Sequence, residues 1–97
     1  MTRETLEALL RHPRFNLEER EQSYFAPAEA PLKLLAVAGT DVLRFDGVES
    51  FVFDDALLAA DCVGIVHGER FTALPLPSIF AIEAHTEAKS KRRTGFV

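Results

Sequence analysis

The stretch LKLLAVAGTDVLRFDGVESFVFD, Leu32 to Asp54, decides how this chain folds. It predicts three antiparallel strands joined at two turn signals, Gly39-Thr40 and Asp46-Gly47. Glycine takes positive φ without a Cβ clash, so Gly-X and Asp-Gly between apolar runs both mark tight hairpins. A two-residue loop at Gly39-Thr40 sets Val37 opposite Val42, Leu34 opposite Phe45 and Lys33 opposite Asp46. Leu32, Leu34, Ala36, Leu43 and Phe45 then share one face, because strand side chains alternate.

The third strand, Val48 to Phe53, has two readings. A tight Asp46-Gly47 loop pairs Phe45 with Val48 and Arg44 with Glu49, but it puts Phe51 and Phe53 on the face away from Phe45. A longer loop over Asp46 to Ser50 pairs Phe45 with Phe51 and Leu43 with Phe53. The longer loop is preferred because it keeps one face apolar, and a one-residue slip would reverse every side chain.

Working outward, Thr2 caps a predicted helix over Arg3 to Arg11 with Leu6, Leu9 and Leu10 on one side, and Pro13 ends it. Asn16 with Glu19 three residues on resembles a capping box, which predicts a second helix to about Ser23. Ala26 to Pro31 is a stiff connection into the sheet. Beyond the central stretch, Asp54 or Asp55 starts a short helical turn over Ala56 to Ala60. Cys62 to His67 and Arg70 to Leu74 form a hairpin around Gly68-Glu69, with Val66 facing Phe71, Ile65 facing Thr72 and Val63 facing Leu74. Pro75 and Pro77 interrupt pairing. Ser78 to Thr86 is the last strand, with Phe80, Ile82 and Ala84 inward and Glu83 and His85 outward. The fold class is α+β: one or two N-terminal helices packed on an antiparallel sheet of five or six strands.

With 97 residues the chain suits one domain, taken as residues 1–88 with a basic tail at 89–97. Lys89, Lys91, Arg92 and Arg93 carry the tail's charge. The formal net charge is −4, so residues 1–88 hold −8 once the tail's +4 is set apart. An acidic body argues against a nucleic-acid binder that uses its whole surface. No apolar run approaches the ~20 residues of a membrane helix, and the first residues lack a signal-peptide pattern. Cys62 is the one cysteine, which rules out an intrachain disulfide and an all-cysteine zinc site and points to the cytoplasm.

Candidate chemistry is sparse. Neither Ser50 nor Ser78 sits in a nucleophile elbow, and no phosphate-cradling glycine motif occurs, so no cofactor is expected. Asp61 beside Cys62 should raise its thiol pKa, which suits a structural cysteine. His67, Glu69, Glu83 and His85 would form a metal set only if the late strands brought them together. His12 has no partner in view. The expectation is a non-catalytic cytoplasmic protein-binding module, adaptor- or inhibitor-like or self-associating as a homodimer, with Glu49, Asp54 and Asp55 as an acidic contact surface. Two alternatives stand beside it: a nucleic-acid accessory factor using Lys89, Lys91, Arg92 and Arg93, and a metal-dependent enzyme using His67, Glu83 and His85.

Overall fold

The structure, a computed structural model, describes residues 1–54 and 58–84. Helix α1 (Arg3–Leu10) starts where expected, with the Thr2 hydroxyl accepting the Thr5 N–H at 3.1 Å. Leu6 and Leu10 are buried and Leu9 lies at the margin of the same face. A 3-10 turn, Pro13–Phe15, follows, and the His12 ring caps it by accepting the Arg14 N–H at 3.1 Å. Seven antiparallel strands come next: β1 (Glu18–Arg20), β2 (Ser23–Phe25), β3 (Leu32–Ala38), β4 (Asp41–Val52), β5 (Cys62–His67), β6 (Arg70–Pro75) and β7 (Ile79–Glu83). The class is α+β, with one α-helix among the described residues and a sheet curled into a half-barrel.

The expected second helix is absent. Residues 18–23 form the hairpin β1–β2, and Asn16, at φ 55°, ends the 3-10 turn where it was expected to cap a helix. The segment EEREQS has no apolar stripe for a helix to bury. As a hairpin it sets Tyr24 opposite Phe51, and the ring is fully buried.

The hairpin β3–β4 has the expected register, with Val37 opposite Val42 and Leu34 opposite Phe45. Past Phe45 the structure departs from both readings. Asp46-Gly47 makes no turn, and β4 continues as one twelve-residue strand. Two bulges replace the turn. Between Leu34 and Leu32 on β3, β4 advances three residues, from Phe45 to Val48, with Gly47 at φ 66°. Between His67 and Val66 on β5, β4 advances two residues, from Val48 to Ser50. Each bulge adds one residue and resets the alternation. Leu43, Phe45, Val48, Phe51 and Phe53 therefore all face inward without any reversal of the chain. Phe51 lies opposite Ile65 and Tyr24, not Phe45, and Arg44 lies opposite Leu35, not Glu49.

A third bulge lies in β7, which pairs with β3. Ala36 is opposite Ile79 and Leu35 opposite Ala81, which leaves Phe80 as the extra residue. Phe80 was expected inside, but Ile79 takes that position and Phe80 is 49% exposed. Ile82 and Ala84 pack against the core as expected. The hairpin β5–β6 matches its predicted register throughout. Gly68 has φ 63° while Glu69 is not in the positive-φ region, as a Gly-X turn of this type requires. The helical turn expected over Ala56 to Ala60 falls partly on residues outside those described, as do His85 and Thr86.

Strand order is β1-β2-β4-β3-β7, with β5 joined to β4 and β6 to β5. Val48 pairs with Leu32 on one side and His67 on the other, and Phe51 pairs with Tyr24 and Ile65 in the same way. So β2 and β3 lie end to end along one edge of β4, and β5 runs along the other. The APAEAP connection is a short excursion from that shared edge. Inside the curl, Leu6 and Leu10 of α1 join Tyr24, Leu32, Leu34, Val48, Phe51, Phe53, Val63, Ile65 and Ile79 in one core.

Candidate interaction surface

One row of cross-strand partners crosses five strands on the outer face of the sheet. Glu18 lies opposite Phe25, Phe25 opposite Ser50, Ser50 opposite Val66, and Val66 opposite Phe71. The next outer row runs Arg20, Ser23, Val52, Gly64 and Ala73. Between them lies the inner row Glu19, Tyr24, Phe51, Ile65 and Thr72. Phe25 is 36% exposed and Phe71 52%, while Ser50 between them is only 5% exposed. The Phe71 ring leans over Gly64, where an added Cβ would overlap the ring and lie 3.3 Å from Leu58 Cδ1. Gly64 thus leaves room for the tip of the Phe71 ring over the neighbouring strand.

Charges border this apolar centre. The Arg20 guanidinium sits 4.9 Å from the Phe25 ring centre and pairs with Glu18 at 3.1 Å. Glu49, in the β4 bulge, is exposed beside Ser50, and its carbonyl accepts the Ala26 N–H at 2.8 Å. Asp54 is half-buried two residues past the end of β4, and its carbonyl accepts the Leu58 N–H at 2.9 Å. Asp55, Lys89, Lys91, Arg92 and Arg93 lie outside the described residues. Of the acidic contact surface read from the sequence, the structure thus places Glu49 at the border of the outer rows and Asp54 near their end. Phe25 and Phe71 were missed as surface residues. The pairing of Val66 with Phe71 was legible, but nothing local marked that face as the uncovered one.

The inner face carries a polar network that fastens α1 to the sheet. The Tyr24 hydroxyl donates to Glu7 Oε1 at 2.7 Å, and Arg11 makes two hydrogen bonds to Glu19, at 3.1 and 3.2 Å. Arg3 pairs with Glu7 at 3.0 Å and lies over the Phe53 ring. Burial, reinforced by the Glu7 carboxylate, pushes the Tyr24 hydroxyl well above its ordinary pKa. The hydrogen bond from Arg11 holds the Glu19 carboxyl below the usual range. Every charge in the network is answered by another, which is the arrangement of a structural clasp.

The other sequence candidates separate. His67 faces inward, with its Nε2 2.8 Å from Thr72 Oγ1 and its ring edge-on to Phe45. Glu83 is opposite Lys33 on β7, separated from β5 by two intervening strands and on the outer face. Convergence of His67 with Glu83 is thereby overturned: β7 pairs with β3, not with the β5–β6 hairpin, and the two side chains alternate to opposite faces. His85 lies outside the described residues. Among the described residues no group of three His, Cys, Asp or Glu side chains is placed to hold a metal. Cys62 is half-buried, and burial together with Asp61 raises its thiol pKa.

An open cleft of about 420 Å³ is lined by Pro31, Leu32, Lys33, Asp46, Gly47, Glu83 and Ala84. Lys33 Nζ is 3.5 Å from Asp46 Oδ1 although the bulge removes their direct pairing. The lining holds an amine and two carboxylates but no hydroxyl, thiol or imidazole side chain. No helix of the described residues is long and apolar enough to cross a membrane. The chain matches no protein-family model, and no curated protein or solved structure shows significant similarity to it.

Proposed function

We propose that this chain is a non-catalytic protein-binding module of the cytoplasm whose contact surface is the outer face of β2, β4, β5 and β6. The observation that carries this is the pair of exposed aromatic rings, Phe25 and Phe71, on one cross-strand row with Ser50 and Val66 between them and charged residues at its border. Protein interfaces have this anatomy, an apolar centre rich in aromatics within a polar rim. Glu49 at the border would favour a partner with a basic rim and speed encounter with it.

The test is native mass spectrometry of the protein drawn from its own cell lysate at low salt. A stoichiometric protein companion is expected, and Phe71→Ser should weaken that complex by about tenfold or more, the scale of an aromatic anchor. Glu49→Lys should act mainly on association rate and on salt dependence. A companion held equally well by Phe71→Ser, or no protein companion at all, would end this reading.

A further inference from the structure

The half-barrel has free strand edges, and they are unequally protected. Among the described residues β1 pairs only with β2, β6 only with β5, and β7 only with β3, and the first half of β4 pairs only with β3. Exposed edges are ordinarily blunted by charge, bulges or brevity. β1 is three residues long and wholly charged, Glu18-Glu19-Arg20. β7 is broken by the Phe80 bulge. The first half of β4 carries Asp41, Arg44 and Asp46. β6 has none of these devices between Phe71 and Leu74. Its sequence there is FTAL, uncharged and without a bulge, and it stops at Pro75.

The hairpin register says which backbone groups this edge presents. With a two-residue loop, His67 and Arg70 form a hydrogen-bonded pair, and such pairs alternate along the ladder. Arg70, Thr72 and Leu74 therefore point their N–H and C=O toward β5, while Phe71, Ala73 and Pro75 point theirs outward. The Leu76 N–H, which bonds the Asp61 carbonyl at 2.7 Å, keeps the same parity. The free edge is thus a short ladder of two complete donor–acceptor sets, at Phe71 and Ala73, closed by a proline that has no N–H.

We infer that the partner of this edge is a second copy of the same chain, its β6 running antiparallel to this β6 about a two-fold axis at Thr72. The inference rests on the protein-binding reading and names its partner. In this register Phe71 lies opposite the partner's Ala73 and Ala73 opposite the partner's Phe71, so every outward N–H and C=O at those positions is satisfied. On the outer face a large ring meets a small methyl twice over, and the apolar rows of the two molecules become continuous. Thr72 meets its own copy, a favourable cross-strand pair. Arg70 falls opposite the partner's Leu74, so no charge on the paired strands confronts its own kind.

The neighbouring registers fail on the same residues. Moving the axis to Ala73 puts Phe71 against the partner's Pro75 and leaves a Phe71 carbonyl without a donor. Moving it to Phe71 sets ring against ring and Ala73 against the turn residue Glu69. A two-fold contact of this kind is the isologous type that closes as a dimer.

The register makes a sharp test in a Cys62→Ser background. At a non-hydrogen-bonded pair the Cα atoms lie about 4.5 Å apart, within the range a disulfide spans. Thr72→Cys should therefore oxidise rapidly to a covalent dimer. Ala73→Cys, whose copies stand diagonally at roughly 7–8 Å, should not. Sedimentation velocity should show a dimer for the natural sequence and a monomer for Ala73→Pro, which removes an outward N–H that β5 does not use. If Ala73→Pro does not fold, the cysteine pair alone decides. A monomeric natural protein, or equal dimer yields from the two cysteine variants, overturns the self-pairing. Phe71→Ser leaves the edge N–H groups in place, so a heterologous companion that it weakens would uphold the outer-face reading even then.

Discussion

Two adjacent rows of the sheet have opposite fates. Tyr24, Phe51 and Ile65 line up on the inner face and are buried in one core with Leu6 and Leu10 of α1, whereas Phe25, Val66 and Phe71, one residue along each strand, line up on the outer face and remain in reach of solvent. Both sets consist of aromatic and β-branched residues of the kind that fill cores. What separates them is that the described residues hold one amphipathic helix, whose Leu6 and Leu10 join the core on a single face of the sheet. Alternation dictates which residues travel together. It does not dictate which set lies on the side of α1.

The largest expected effect comes from truncating matched aromatics in the two rows. Phe51→Ala should cost about 3–5 kcal/mol, the usual loss for a buried Phe, while Phe71→Ala should stay within about 1 kcal/mol, since surface changes away from special features are small. Denaturant unfolding of the two variants measures the contrast directly, and equal losses would show that the outer row is core. Next in size is the clasp. Tyr24→Phe removes a hydrogen bond to a carboxylate, worth about 1.5–3 kcal/mol.

The same residue sets an alkaline limit. Its folded pKa is raised, so its stabilising effect is complete below the unfolded value of about 10 and declines as pH rises past it. Tyr24→Phe should lack that decline in a series of thermal melts. At the acid end, Glu19 has a lowered folded pKa, so its contribution is present above the ordinary carboxylate range and is lost as pH falls through the folded value.

A gain of about 1 kcal/mol is expected from Glu21→Gly. Glu21 opens the β1–β2 turn at φ 53°, where a side chain is strained and glycine is not. An unchanged or lower midpoint of unfolding would show that the turn carries no such strain. The smallest change in stability belongs to Gly64→Ala. The added methyl would displace the exposed tip of Phe71 and press lightly on Leu58 Cδ1, so the unfolding free energy should change by no more than about 1 kcal/mol, while ring-current shifts of residues beneath Phe71 should change. That variant sharpens the comparison, since it reshapes the outer row and leaves the inner one alone.

Much of this architecture was legible where the determinants are local. Thr2 and the spacing of Leu6 and Leu10 specified α1, and Gly39 and Gly68 specified two hairpins together with their registers. Ala26 to Pro31 was legible as a connection into the sheet, though not as a link between two strands on one edge, and β6 ends one residue later than expected, with Pro75 still opposite Cys62. The β1–β2 hairpin was missed because a capping-like pattern at Asn16 competes with a pairing whose reward lies at Phe51, more than twenty residues away. Glu49 was singled out in the sequence by its charge and position, whereas Phe25 and Phe71, exposed in the structure, read simply as core-forming aromatics.

By itself the sequence determined the α+β class, the one α-helix the structure describes, the two Gly-X turns and the faces shared within each hairpin. These follow from φ preferences, capping and side-chain period, all of which act over a few residues. Tertiary structure decided that β4 runs straight through Asp46-Gly47, that bulges at Gly47 and Glu49 restore its inward face, and that Phe80 is turned out. A bulge inserts one residue and leaves almost no local signature, so its place is chosen by the partners on both sides of the strand. Which face α1 covers was settled in the same way, by packing between residues that are distant in the chain.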